Sequence, residues 1–139
     1  AHNLADINAR LAAEAPANVI APITLDVADH PWPVRNIDGV FSANAIHIMS
    51  WGHVAQMFQG IGKILEPRGT LCLYGPFKYQ GNFTTDSNAQ FDLWLKQRDP
   101  LSGIRNFESI DALVNAQGLR LVADHAMPAN NQLLVWRGE

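Results

Sequence analysis

The chain has 139 residues, the size of one ordinary domain, of which 47% are hydrophobic and 17% charged. Such a composition suits a packed core burying about two thirds of the surface of the unfolded chain, and it excludes a solvated, disordered protein. The formal net charge of -3 gives no general attraction to nucleic acid or to an anionic membrane, so neither is expected as a partner.

The one cysteine, Cys72, lies in an apolar run and reads as a small buried hydrophobe. A single cysteine forms no intramolecular disulfide, which points to a reducing, cytoplasmic compartment. No apolar run approaches the roughly 18 residues that span a bilayer, and the first residues lack a signal-peptide pattern, so a soluble protein is expected. The sequence starts at Ala1 rather than Met, which leaves upstream residues open.

Leu4, Ile7 and Leu11 recur at helical spacing behind Asn3, a suitable N-cap, with Asp6 in the first turn where its charge matches the helix dipole. A helix is predicted over residues 4–14, ended by Pro16. Residues 23–27, ITLDV, read as a short strand with Pro22 tolerated at its start. HPWP at 30–33 is a stiff loop, because proline fixes its own backbone and restricts the residue before it.

A second strand is predicted over residues 37–43. Val54, Met57, Phe58, Ile61 and Leu65 then form one apolar stripe of a helix running from Trp51 to Leu65, with Ser50 as cap and Pro67 and Gly69 as stop signals. TLCLY at 70–74 is the third strand. Strand, helix and strand within about 40 residues make a βαβ crossover, which implies parallel strands.

Residues 75–88 form a polar, glycine-containing loop of about 14 residues, a length associated with function or mobility. Phe91, Trp94 and Leu95 mark a helix behind Ser87. Ile110, Leu113 and Val114 mark another, opening at Asn106 and closed by Gly118. Leu119, Leu121 and Ala123 alternate as a strand, Gln132 to Arg137 is the last strand, and the MPANN turn between them makes an antiparallel pair. No internal repeat or linker interrupts the chain, which reads as a single α/β domain.

The polar residues Asn44 and His47 interrupt an apolar run at a strand-to-helix corner. In open α/β sheets, ligands bind at the carboxyl ends of the strands. Asn44 there could orient an amine or hydroxyl, and His47 could remove its proton. The alternative, favoured for His47, is a turn-capping Asn44 and a partly buried, hydrogen-bonded His47. Tyr74, Gly75 and Pro76 end the next strand and read equally as cleft lining and as a simple strand stop. Arg105 could clamp a carboxylate or phosphate. An ion-pair network of Asp92, Arg98, Asp99 and Arg105 tying two helices together is favoured slightly over that. Asn130 and Asn131 supply turn geometry. His47 and His53 lack the i, i+4 spacing of a helical zinc pair, and no metal site is expected.

The motifs LDV (25–27), NAIHI (44–48), YGPF (74–77), SNxxFD (87–92), RDPxxGIR (98–105) and MPANN (127–131) closely resemble those of the DUF938 group of methyltransferase-like proteins. The resemblance covers most of the chain from about Asn18 onward. It implies a class I methyltransferase fold, Rossmann-like and three-layered, with a mostly parallel sheet that finishes in an antiparallel pair. It also implies S-adenosylmethionine as cofactor, methyl transfer to a small molecule, catalytic roles for Asn44 and His47, cofactor contacts from Asp26 and Asn44, and substrate contacts from Tyr74, Pro76 and Arg105. In that fold Asp26 would end the strand beside the adenine; read locally, it caps a loop.

The glycine-rich turn that follows the first strand of such enzymes has no counterpart here. The N-terminal helix resembles the one after their second strand, so the sequence is expected to begin two strands into the fold. A truncated sheet needs cover, which predicts a homodimer. A non-catalytic homo-oligomeric binding protein derived from a methyltransferase is the alternative function.

Overall fold

The computed structural model describes residues 2–139. In chain order it contains α1 (His2–Glu14), β1 (Ile37–Ala43), a 3-10 turn (Ile46–Ile48), α2 (Trp51–Ile64), β2 (Leu65–Gly75), β3 (Lys78–Tyr79) and β4 (Asn82–Phe83). There follow α3 (Asp86–Arg98), α4 (Phe107–Asn115), β5 (Leu119–Met127), a second 3-10 turn (Pro128–Asn130) and β6 (Asn131–Gly138).

The main sheet has the order β1-β2-β6-β5. β1 and β2 run parallel, joined through α2, and the β2–β6 and β6–β5 ladders are antiparallel. The sheet thus opens with a βαβ unit and closes with an antiparallel pair, as expected of the α/β layout, but it is mixed rather than mostly parallel, since of its ladders only β1–β2 is parallel. Ile37 pairs with Leu65 and Gly39 with Thr70, so the residues between loop out, with Arg68 at a φ of 65°. The helix ends at Ile64, with the extended Leu65 as its C-cap, and Pro67 and Gly69, expected as its stop signals, instead lie inside β2.

The core forms where α2 and α4 pack on the sheet. Val54, Met57, Phe58, Ile61 and Ile64 of α2 and Ile110 and Val114 of α4 bury against Leu71, Leu73, Leu134 and Trp136. Trp136 keeps its polar edge satisfied by donating from Nε1 to Asp111 Oδ1 at 2.8 Å, as a buried indole must. Ser50 caps α2, its hydroxyl accepting from the His53 amide at 3.2 Å.

Several expectations change. Residues 23–27 form no strand: Ile23 and Leu25 are exposed, and none of these residues joins a sheet ladder. A strand exists only through its neighbours' hydrogen bonds, and β propensity without a partner does not supply them. Asn3 lies inside α1 rather than capping it. Thr85, not Ser87, caps α3, accepting from the Asn88 amide at 3.1 Å. Gly118 follows α4 in the left-handed region, at φ 85°, two residues beyond the cap Ala116.

The 75–88 loop contains a small β3–β4 hairpin. Tyr79 anchors it to the main sheet, donating to Asp124 Oδ2 at 2.7 Å and accepting from Gln132 Nε2 at 3.0 Å. Burial first, and then the bond to Asp124, push the Tyr79 phenol well above its ordinary value of 10.0, so it stays a donor throughout the physiological range.

The HPWP loop is fastened by Trp32, which is buried against α2 and donates from Nε1 to the Val27 carbonyl at 3.4 Å. Its six-membered ring lies directly over Gly60, where a Cβ would collide with Trp32 Cζ2 and Cε2. We expect Gly60→Ala to lower stability by about 1–3 kcal/mol through overpacking, in spite of a helix-propensity gain of about 1 kcal/mol. Urea denaturation of the two proteins measures the difference, and an unchanged midpoint would show that Trp32 yields freely.

Candidate functional site

Where β1 ends, the chain turns sharply. Asn44 takes a φ of 55° and its amide donates to the Tyr74 carbonyl at 2.9 Å, so the end of β1 is sewn to the end of β2. Asparagine tolerates this left-handed conformation better than most residues. The following 3-10 turn carries His47, whose carbonyl accepts from the Gly103 amide at 2.9 Å.

His47 is only 5% exposed, and its ring meets the Phe91 ring edge-on at 5.5 Å. The imidazole makes no hydrogen bond. Nδ1 is buried without a partner, and the residue lines the adjoining cavity. Burial, and then the positive charge of Arg105, lower its pKa below the ordinary 6.5. His47 is therefore a neutral imidazole at pH 7, the form that accepts a proton. The expectation of a hydrogen-bonded histidine is corrected at this point: the ring is buried and unpartnered.

The cavity of about 430 Å³ has three walls. Asn44, His47 and Pro76 come from the carboxyl ends of β1 and β2, Ser87, Asn88 and Phe91 from the first turns of α3, and Ala129 and Asn131 from the turn before β6. Gly75, at φ 155°, sits beneath Asn44 and His47: a Cβ there would lie 3.6 Å from Asn44 Oδ1 and 3.8 Å from His47 Nδ1.

Hydrogen bonds hold the walls together. Asn88 Nδ2 donates to the Asn130 carbonyl and Asn130 Nδ2 to Ser87 Oγ, both at 3.2 Å. Asn131 Nδ2 donates to Tyr74 Oη at 3.2 Å. Asn130, at φ 61°, supplies the turn geometry expected of it, and Asn131 also faces the cavity.

Asn44, His47 and Pro76 are thus brought together, with Tyr74 behind them holding Asn131. Asp26 and Arg105 are outside this group. Asp26 Oδ1 accepts from the Ala28 amide at 2.9 Å and forms a local loop cap, since the strand that would have carried it to the sheet is absent.

Among the described residues, Arg105 forms no ion pair. Its Nη2 donates to the Met49 and Leu101 carbonyls at 2.6 and 2.7 Å, and its guanidinium lies 5.7 Å from the Trp51 ring centre. The expected ion-pair network is also replaced. Asp92 pairs with Lys96 of its own helix at 2.6 Å, Arg98 sits over Trp94 at 4.7 Å, and Asp99 Oδ1 caps the Leu101 amide at 2.9 Å.

Sequence reasoning singled out neither Ser87, Asn88 nor Phe91 as cavity residues. Their one signal was the SNxxFD motif, which gives no location until α3 is folded over the sheet ends. Among the described residues, no cluster of His, Cys, Asp and Glu could hold a metal ion, and no helix is long and apolar enough to cross a membrane.

A sheet that opens with a βαβ unit, closes antiparallel and carries a polar cavity at the ends of its parallel strands is methyltransferase-like in fold, as solved structures show. The fold is shared with LaPhzM at a TM-score of 0.78 and 13% identity, over 99% of this chain and 40% of that one. It is shared too with LepI, solved in complex with SAM, at 0.76 and 16% over 98% of this chain and 34% of LepI. An O-methyltransferase family protein from Burkholderia thailandensis matches at 0.73 and 14%, over 84% and 35%. The chain therefore spans between a third and two fifths of these relatives' length. Its own family is DUF938, described as a protein of unknown function, whose profile matches residues 1–138, and the chain belongs to that family.

Because folding lowers the His47 pKa, the unfolded chain binds the proton more readily. The stability owed to neutral His47 is fully present above the unfolded pKa of 6.5 and is lost as pH falls toward the folded value. We expect denaturant midpoints to fall on acidification below about pH 6.5, and to fall less in His47→Gln. Equal slopes in the two proteins would rule His47 out as the titrating group.

Proposed function

We propose that the protein is an S-adenosylmethionine-dependent methyltransferase whose acceptor is a small molecule bearing a hydroxyl or amine. The observation that carries this reading is the pairing of Asn44 with a buried, neutral, unbonded His47 at the open carboxyl ends of two parallel strands. The space above Gly75, which a side chain would fill, suits the close approach of a ligand's methionine end. Asn44 would hold the donor side, and Asp26 would reach the adenine once its segment is drawn to the sheet.

When bound, S-adenosylmethionine supplies an electrophilic sulfonium methyl. The residues of this chain do the remaining work. Pro76 and Phe91 shape the acceptor's pocket, Tyr74 fixes Asn131 at its rim, and His47 Nε2 receives the proton released as the acceptor's O–H or N–H becomes an O–CH3 or N–CH3 group. Positioning is the larger contribution, and the base matters in proportion to the acceptor's reluctance to ionise. The half-buried, unpaired Cys72 suits a reducing, cytoplasmic setting.

We expect S-adenosylhomocysteine to bind at micromolar concentration in isothermal titration and Asn44→Ala to weaken it about tenfold, the loss of one good hydrogen bond. His47→Phe should leave binding intact and lower methyl transfer by about 10²–10⁴-fold. No heat at millimolar ligand would end the enzymatic reading and leave a non-catalytic binding protein.

A second copy of the chain is the proposed partner. β1 is hydrogen-bonded on one side only, and its Phe41 is 67% exposed. Such an edge pairs readily with another strand. Light scattering behind size-exclusion chromatography should give a dimer mass, and a monomer at micromolar concentration would overturn this.

A further inference from the structure

On the far side of the turn that carries His47 lies a second recess, of about 170 Å³, lined by Trp51, Lys78, Ile104, Arg105, Asn106 and Ser109. Two of these residues are cations and none is a carboxylate. Among the described residues, neither Lys78 nor Arg105 forms a salt bridge: the ion pairs join Arg10 to Glu14, Lys96 to Asp92 and Arg120 to Glu139. The nearby Glu108 is occupied elsewhere, its Oε1 accepting from the Gln80 amide at 2.9 Å.

Arg105 is an incompletely satisfied cation. Nη2 is held by two carbonyls, Nε is buried with no acceptor, and Nη1 is neither buried away nor hydrogen-bonded. Burial lowers its pKa and the nearby Asp92 carboxylate offsets only part of that, so the net direction is still downward. Lys78 is placed beside it by backbone pairing, its amide donating to the Arg105 carbonyl at 2.9 Å, and its ammonium, which lies 5.2 Å from the Phe83 ring centre, would swing from that ring to meet an anion.

The start of α4 adds to the same field. Asn106 stands at the N-cap, yet its Oδ1 accepts from the Gly81 amide at 3.1 Å instead of capping, so no side chain caps the helix's first turn. Ser109, in that turn, lines the recess. A guanidinium, an ammonium, a hydroxyl and uncapped helix amides are the donors that recognise an oxyanion.

We propose that this recess binds one small oxyanion group, a phosphate or a carboxylate, between Arg105, Lys78 and Ser109. The site is separate from the Asn44–His47 cavity, and it needs neither methyl donor nor acceptor for its test. The volume admits a single such group and excludes a nucleotide. Arg105 stands between the two sites, its guanidinium bonded to the Met49 carbonyl two residues after His47.

The test titrates inorganic phosphate and, separately, acetate into the whole chain at low ionic strength. It follows by NMR the amides of Phe107, Glu108 and Ser109 and the Nε–H signal of Arg105. Saturable shifts are expected with at least one of the two anions, and the one that saturates at lower concentration names the group. Lys78→Gln should raise the midpoint about tenfold, Ser109→Ala about threefold, and Lys78→Arg should leave it nearly unchanged. Arg105 is left intact because it also fastens Met49 and Leu101. Identical shifts with chloride at the same ionic strength, no saturation with either anion, or a midpoint unmoved in both Lys78→Gln and Ser109→Ala would overturn the proposal.

Discussion

The buried carboxylate of Asp92 is the contact on which both cavities depend. It lies on the inner face of α3, only 3% exposed, with Oδ1 accepting from the Ile104 amide at 2.8 Å and Oδ2 paired with Lys96. That one bond from Oδ1 fixes where the chain runs after α3. Gly103 then reaches the carbonyl of His47, and Arg105 reaches that of Met49. A buried charge is tolerable only when its lone pairs are met. The 99–106 segment and the His47 turn are therefore fastened to each other. Gly103 shares in that fastening, since a Cβ at that position would sit 3.0 Å from Asp92 Oδ1.

The same arrangement explains which parts of the molecule were legible in the sequence. β1, α2 with its Ser50 cap, and the closing antiparallel pair are written in apolar periodicity and local capping, signals a few residues long. α3 is different. Its buried residues are Asn88, Asp92 and Leu95, at helical spacing but mostly polar, so hydrophobic patterning found Leu95 and otherwise pointed to Phe91 and Trp94. Beside the local side chains of Thr84 and Lys96, Asn88 donates to the Asn130 carbonyl and Asp92 accepts from the Ile104 amide, backbone groups of distant turns that no side-chain pattern announces.

The candidate site was half legible for a related reason. Asn44, His47 and Pro76 sit at strand ends predicted from periodicity, so their convergence follows from a parallel pair. The wall formed by Ser87, Asn88 and Phe91 depends on how a helix some 40 residues later crosses those ends. Arg105 was recognised as a residue of interest, but the carbonyls of Met49 and Leu101 that hold its Nη2 are backbone groups no motif announces. Asp26 illustrates the converse: the letters ITLDV have strand character, and without a neighbouring strand the side chain turns back on the Ala28 amide.

The one-sided bonding of β1 also sets a pattern in time. Along a parallel strand, successive amides point alternately to the two sides, and β1 has the β2 ladder on one side only. Alternate amides between Ile37 and Ala43 are thus locked to β2 while those between them face outward. β2, flanked by β1 and β6, has ladder partners in both directions. Hydrogen exchange along β1 in the isolated chain therefore has a two-residue rhythm that β2 lacks, and any strand seated against the open edge would erase it by slowing only the fast half.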